Sequence, residues 1–238
     1  GYWSFTGRVI SNSAGKMNIT YDAAYPPDNT SIYYAARNLN LLDSAGEWYL
    51  DEEADRLYFW APGDVNPEKL EISAQKRKNA VEFSDARYVT LDGIEIMGAN
   101  IEMSDNTENC TLNNISAKYL SYDVALPKNG SGSCNSRGIL LRGRHNTIKN
   151  SQIASTFGDA IEMSGSYNAV VNCDIHDFNY ENTYSYGVNI SGDHQLVKNN
   201  SIYRTGRSAI GGEFEASEIS YNNIYDTMKI SKDGGALY

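Results

Sequence analysis

The stretches Ile148–Ile153 (IKNSQI), Val170–Ile175 (VVNCDI), Val197–Ile202 (VKNNSI) and Ile219–Ile224 (ISYNNI) share one pattern. Each opens on an apolar residue, runs through polar residues that include asparagine, and closes on an apolar residue five positions after the first. Leu91–Ile96 (LDGIEI) and Leu112–Ala117 (LNNISA) fit the same frame. The closing positions Ile96, Ala117, Ile153, Ile175, Ile202 and Ile224 are spaced by 21, 36, 22, 27 and 22 residues. The base period is therefore 21–22 residues, with extra residues inserted in two of the repeats. A fixed period in this range is the mark of a repeat architecture.

Working outward, a second apolar stripe precedes each of these segments: Ile101, Ile139, Ile161, Val188, Ile210 and Ala236. Around it the text reads GILL, AIEM, GVNI, AIGG and GALY, with apolar residues mostly two apart, the spacing that places them on one face of a strand. Two stripes with one period mean that each repeat retraces the path of the last. Equivalent residues then stack at the ~4.8 Å spacing of neighbouring strands. One coil cannot bury its own apolar face, but a stack of coils builds a continuous core. The fold class expected is all-β, a right-handed parallel β-helix of about 22 residues per coil. Asn114, Asn150, Asn172 and Asn199 occupy the third position of the shared segment, between Gly93 and Tyr221, and asparagine tolerates the left-handed backbone that a sharp turn needs.

The insertions fall between strands. One lies near Lys118–Arg137 and contains KNGSGS; another, Phe178–Tyr186, reads FNYENTYSY; a third covers Thr227–Lys232. The second and third lead into the same strand stack and are expected to rise on one side of the ladder, where loops on a rigid scaffold carry function. Residues 1–78 do not follow the repeat. There Trp48–Leu50 and Arg56–Trp60 read as a hairpin, Arg8–Ile10 and Met17–Tyr21 as further strands, and the region as a β-rich cap over the first coil's open edge. Residues 79–238 form the helix, and the chain stops at Tyr238 within a strand, so more C-terminal coils or a second chain are expected to complete the ladder.

Composition narrows the partners. A net charge of −10 repels phosphate backbones and argues against nucleic acid. No apolar run approaches the ~18 residues that cross a bilayer, so no membrane partner is expected. Cys110, Cys134 and Cys173 show no CxxC or zinc spacing and read as small buried hydrophobes. With 18 Tyr and 20 Gly the chain suits short strands and tight turns.

The run LLDSAGEWYLDEEADRLYFWAP, then YVTLDGIEI, the NSIYR and NNIYD coils, and finally KDGGALY resemble the secreted bacterial parallel β-helix proteins that act on carbohydrates. The GEWY…LYFW element followed by a DGG-aliphatic-Tyr strand is most similar to glycoside hydrolases of this architecture. That resemblance implies a secreted bacterial protein, a polysaccharide or oligosaccharide substrate, no cofactor, and a catalytic role for the DGG aspartate, here Asp233. A carboxylate about one coil later is implied as its partner.

Register sharpens the candidates. Asp233 lies three residues before Ala236, and the equivalent residue one coil below is Arg207, a cation that favours an ionised carboxylate. Glu213 is the other catalytic candidate, although it sits at the far end of its strand. Tyr180, Tyr184 and Tyr186 enter the same face and are candidate sugar platforms, since aromatic rings stack on the C–H faces of pyranoses. Asp159 and Glu162 are expected to line an outer subsite; Leu140, Glu162, Asn189, Gly211 and Leu237 stack outward, with the small Gly211 leaving a groove floor above Asn189. His145, Tyr167 and His194 occupy one turn position on successive coils and read as turn stacking rather than metal ligands. Two other functions fit the same fold. A lyase would use Lys232, Arg204 or Arg207 against a uronate, with Ca²⁺ a cofactor. A non-catalytic carbohydrate-binding or adhesive β-helix needs neither.

Overall fold

The computed structural model describes residues 4–21, 27–28, 30–122 and 136–238. Cys134 and most of the insertion between Lys118 and Arg137 lie outside these described residues. The chain divides into two compact units, one of residues 27–74 and one that joins residues 1–26 to 75–238.

The larger unit holds three parallel six-stranded sheets. Sheet I stacks Asn79–Phe83, Asn100–Met103, Arg137–Leu141, Asp159–Met163, Val188–Asp193 and Ile210–Glu215. Sheet II stacks Thr90–Asp92, Thr111–Asn113, Thr147–Lys149, Ala169–Val171, Leu196–Lys198 and Glu218–Ser220. Sheet III stacks Glu95–Met97, Ser116–Lys118, Gln152–Thr156, Asp174–Phe178, Ser201–Thr205 and Asn223–Tyr225. Each coil contributes one strand to each sheet in the order I, II, III, which is a right-handed parallel β-helix.

The repeated six-residue segment is two strands rather than one. Its opening residue lies in sheet II, where Leu91, Leu112, Ile148, Val170, Val197 and Ile219 are in register. Its closing residue lies in sheet III, where Ile96, Ala117, Ile153, Ile175, Ile202 and Ile224 are in register. The corner between them is the asparagine position. Gly93, Asn114, Asn150, Asn172, Asn199 and Tyr221 all have φ between 52° and 69°. Neighbouring amides join along the corner, Asn172 Nδ2 donating to Asn150 Oδ1 at 2.7 Å and Asn150 Nδ2 to Asn113 Oδ1 at 2.8 Å. The stripes of all three sheets point inward and form one buried apolar core from Phe83 to Ile210.

A second polar ladder runs inside the wall, where sheet I turns into sheet II. Asn146 Oδ1 accepts from the Cys110 N–H at 2.8 Å, Asn168 Oδ1 from the Asn146 N–H at 2.8 Å, and Gln195 Oε1 from the Asn168 N–H at 3.1 Å. The Asn168 amide also donates to the Gly143 and Ser164 carbonyls. Buried backbone groups need such partners because water cannot reach them. Asn168→Ala leaves the Asn146 N–H without its acceptor and takes a donor from the Gly143 and Ser164 carbonyls, and is expected to lower stability by about 2–3 kcal/mol, read as a reduced denaturant midpoint in chemical unfolding.

The last rung departs from the expected register. Leu237, not Ala236, is the partner of Ile210, so the extra glycine of Asp233-Gly234-Gly235 is absorbed before the strand, with Gly234 at φ 130°. The residue over Gly211 is accordingly Tyr238, not Leu237: the Gly212 N–H donates to the Tyr238 carbonyl at 3.3 Å.

Outside the ladder, Gly7–Ser13 pairs antiparallel with Lys16–Tyr21, and Trp48–Asp51 with Arg56–Phe59. The lead-in to the first hairpin meets the tyrosine-rich insertion, the Ser4 N–H donating to the Asn182 carbonyl at 2.9 Å. No helix among the described residues is long and apolar enough to cross a membrane.

Candidate functional site

The side chains that converge lie on the outer edge of sheet I, where the insertion at 178–186 enters the strand Val188–Asp193 and the segment after Lys232 enters the rung two above it. Asp233 is held there by Arg207 from the coil below. Arg207 Nε donates to the Asp233 carbonyl at 3.0 Å and Nη2 to the Asp233 carboxylate at 3.1 Å. Arg207 itself is fully buried, while the Asp233 side chain remains 38% exposed. The sequence alignment of Asp233 over Arg207 therefore survives the one-residue register shift, because the arginine is long enough to follow the carboxylate.

Two rings cover the guanidinium. Its Cζ lies 3.9 Å from the Tyr184 ring centre and 4.8 Å from that of Tyr238. Such cation–π contact offsets part of the cost of removing the charge from water. Tyr184 meets Tyr186 and Tyr238 edge to face, each pair 6.0 Å between centroids. Against the opposing effect of burial, hydrogen bonds with Tyr238, Arg207 and Tyr186 hold the Tyr184 phenol below its usual value. Burial pushes the Tyr186 phenol the other way, above the usual tyrosine range.

Asp159 closes the lower end of this cluster. It begins its strand on the coil beneath Tyr186 and is 3% exposed. Its Oδ1 accepts from the Tyr186 N–H at 2.6 Å and its Oδ2 from Asn189 Nδ2 at 2.8 Å. Burial pushes the carboxyl up to about 7; the Asn189 and Tyr186 hydrogen bonds oppose the rise, and the charge of Glu162 adds to it. Glu162 is in turn bound by Arg137 and, at 3.6 Å, by Arg142.

Several expectations are corrected by this packing. Tyr186 and Asp159, expected to line the sugar site, are enclosed, and so is Arg207: Arg207 under two rings, Tyr186 against Gly211, Asp159 under the Tyr186 backbone. The space above Asn189 is not an open groove floor, because a side chain on Gly211 would overlap the Tyr186 ring. Asn189 spends its amide on Asp159, and Glu162 is mostly covered by its two arginines. Tyr180 leaves the other tyrosines and packs edge-on against Phe157 at 6.0 Å, where burial raises its phenol above the usual range.

Glu213 does not join Asp233. It is three residues beyond Ile210 while Asp233 is four before Ile210's partner Leu237, an offset on the order of 20 Å along the chain direction. It lines a shallow depression with Gly192, Asp193, His194, Phe214 and Glu215. Asp159 is three rungs from Asp233, roughly 14 Å. Neither carboxyl reaches the ~5 Å or ~6.5–9.5 Å that paired glycosidase carboxylates require. Of the basic candidates, Arg204 is committed to Asp177 through two bonds of 2.6 Å, which hold that carboxyl at about 2.

The sequence reading missed Tyr238 as the second ring over Arg207. Its only signal was the terminal aromatic of KDGGALY, whose facing depends on the register of the last rung. His145, Tyr167 and His194 do stack, at 5.0 and 4.5 Å between centroids. Among the described residues no group of three or more His, Cys, Asp or Glu side chains is arranged to hold a metal ion.

No curated protein and no solved structure matches the chain. The family described as the right-handed beta helix region matches residues 107–236, which span every coil from the sheet-II strand at Thr111–Asn113 to the segment that carries Asp233. That is more than half of the 238 residues, and it coincides with the stacked sheets described above: the chain belongs to the right-handed beta helix region family.

Proposed function

We propose that the chain is a secreted bacterial glycoside hydrolase that cleaves a plant or microbial polysaccharide or oligosaccharide, with Asp233 as its working carboxylate. Right-handed β-helix domains occur in many carbohydrate-active proteins, hydrolases and lyases among them. The observation that carries the reading is the Asp233–Arg207 pair beneath Tyr184 and Tyr238, a half-exposed carboxylate fixed by a fully buried cation beside aromatic rings. Arg207 orients the carboxylate that attacks a sugar carbon or activates a water. Tyr184 shares Arg207 with Asp233 and supplies a phenol held below its usual value, able to exchange a proton with the departing oxygen.

The test is turnover on a panel of plant and microbial glycans, read both as new reducing ends and as absorbance near ~230 nm from unsaturated sugars, the product of β-elimination. Reducing ends without absorbance are expected, and Asp233→Asn is expected to lower the rate about a hundredfold or more when assayed below its own unfolding temperature. Full activity in the variant sinks the role of Asp233. Unsaturated products turn the reading to a lyase, and binding without turnover to a carbohydrate-binding module.

A further inference from the structure

Asp159 is a carboxyl buried at the wall of the ladder, out of reach of any polymer, yet bonded to the loop that delivers the aromatic rings. We propose that Asp159 is a positioning residue that anchors Tyr186, and through it Tyr184, over Arg207, so that it governs the Asp233 site without touching substrate. The inference rests on the hydrolase reading for its effect on turnover and on geometry alone for its effect on the loop.

The chain of contacts is continuous. Asp159 accepts the Tyr186 N–H, and the Ala160 N–H donates to the Tyr186 carbonyl at 3.1 Å, so both backbone groups of Tyr186 are tied to the Asp159 rung. The Tyr186 ring is trapped over Gly211 and meets Tyr184 edge to face. Tyr184 lies on the Arg207 guanidinium, and Arg207 binds Asp233. Beyond this strand the insertion is held by its own bonds, Asn179 Oδ1 accepting from the Thr183 N–H and Asn179 Nδ2 donating to the Ser185 carbonyl. Asp159 is thus the side chain that ties the C-terminal end of that preformed loop to the ladder, while the Asn179 N–H donates to the Thr156 carbonyl at its other end.

The charged and titratable groups that face Asp159 come from every neighbouring rung: Glu162 on its own strand, Arg137 on the strand below, and the Tyr186 phenol above. Arg137 is drawn to Glu162, which leaves Asp159 facing a pair that nearly cancels. An ionised carboxylate accepts both N–H groups more strongly than the neutral acid. With the carboxyl titrating at about 7, the anchor tightens as pH rises through neutrality.

Two readouts test this on the intact chain. Hydrogen exchange at the Tyr186 amide is expected to accelerate roughly tenfold or more in Asp159→Ala, from loss of a charge-assisted bond. The Thr147 and Leu196 amides, bonded to Cys110 and Asn168 carbonyls in the ladder, serve as folding controls and should not change. Unchanged Tyr186 exchange with intact controls overturns the anchor, whether or not the protein turns over a glycan; if the alanine chain does not fold, Asp159→Leu, which fills the space of the side chain but accepts no hydrogen bond, is measured in the same way. In turnover, kcat/KM is expected to rise through about pH 7 in the wild type and to lose that limb in Asp159→Asn. Retention of the limb in the variant overturns the proposal while Asp233→Asn still tests the hydrolase reading by itself.

Discussion

Gly165→Ala is expected to destabilise the ladder by about 4 kcal/mol or more, and to shift thermal unfolding by on the order of 10 °C or leave the chain insoluble. Gly143, Gly165 and Gly192 follow one another on successive coils with φ of 75°, 81° and 84°. A side chain in left-handed backbone costs ~1–2 kcal/mol by itself. Here the added carbon would also overlap the Gly143 carbonyl oxygen of the coil below. That oxygen already accepts from the Ser166 N–H at 3.0 Å and the Asn168 amide at 3.0 Å, so the clash cannot be relieved without breaking the polar ladder. Gly15→Ala is the control. Its φ is 75°, yet nothing lies within 4 Å of the added carbon, so it carries the conformational cost without the overlap. Equal losses in the two variants would show that the stacked contact contributes nothing.

The second large effect is a dependence of stability on pH that originates at Asp159. Its carboxyl rises from 3.8 to about 7 on folding, so between these values the folded chain binds a proton that the unfolded chain has lost. Stability from this group is therefore full below about pH 4, declines as pH rises, and levels off above about 7. The whole decline is on the order of 4 kcal/mol. Asp177 works in the opposite sense, since Arg204 holds it at about 2 and its contribution disappears only in acid. Asp159→Asn keeps the size of the side chain and removes the charge. Asn189 can turn its amide to offer an oxygen where it now offers a nitrogen, so both bonds survive. The variant is expected to match the wild type at about pH 3.5 and exceed it at pH 8 in chemical unfolding, and a parallel decline in both proteins would assign the loss to another group.

Together these effects separate two kinds of burial in one wall. The glycine column is steric and indifferent to pH, whereas Asp159 exchanges some stability above neutrality for a charged acceptor at the edge of the aromatic cluster. A buried carboxyl with its proton affinity shifted so far is a candidate member of a functional site. The charge is tolerated because Tyr186 and Asn189 donate to both of its oxygens.

Much of the ladder was legible in the sequence. The stripes from Leu91 to Ile219, from Ile96 to Ile224 and from Ile101 to Ile210 are in register throughout, because a 21–22-residue period leaves each apolar residue only its equivalent to stack on. The asparagine corner was legible for the same reason, its residues being those that accept positive φ. That each repeated segment breaks into two strands at this corner was not, since six residues of strand and three plus three around a bend have the same alternation.

The site was only partly legible. Asp233 over Arg207 followed from counting along the repeat, although the count was one residue out at the strand that follows. Two glycines in succession let the chain absorb a residue without a side chain to mark where. The insertion carrying Tyr180, Tyr184 and Tyr186 has no equivalent on the neighbouring coils, so periodicity assigns it no facing. Its own hydrogen bonds and the cover of Phe157 and Gly211 decide that Tyr180 turns away, that Tyr186 is buried, and that Tyr184 lies on Arg207. Sequence by itself determined the helix, its rungs and its core, because stacking equivalent residues is a local rule repeated. Only the tertiary structure decided which side chains stay open to a ligand, because burial of Arg207 and Asp159 is set by segments inserted into that rule.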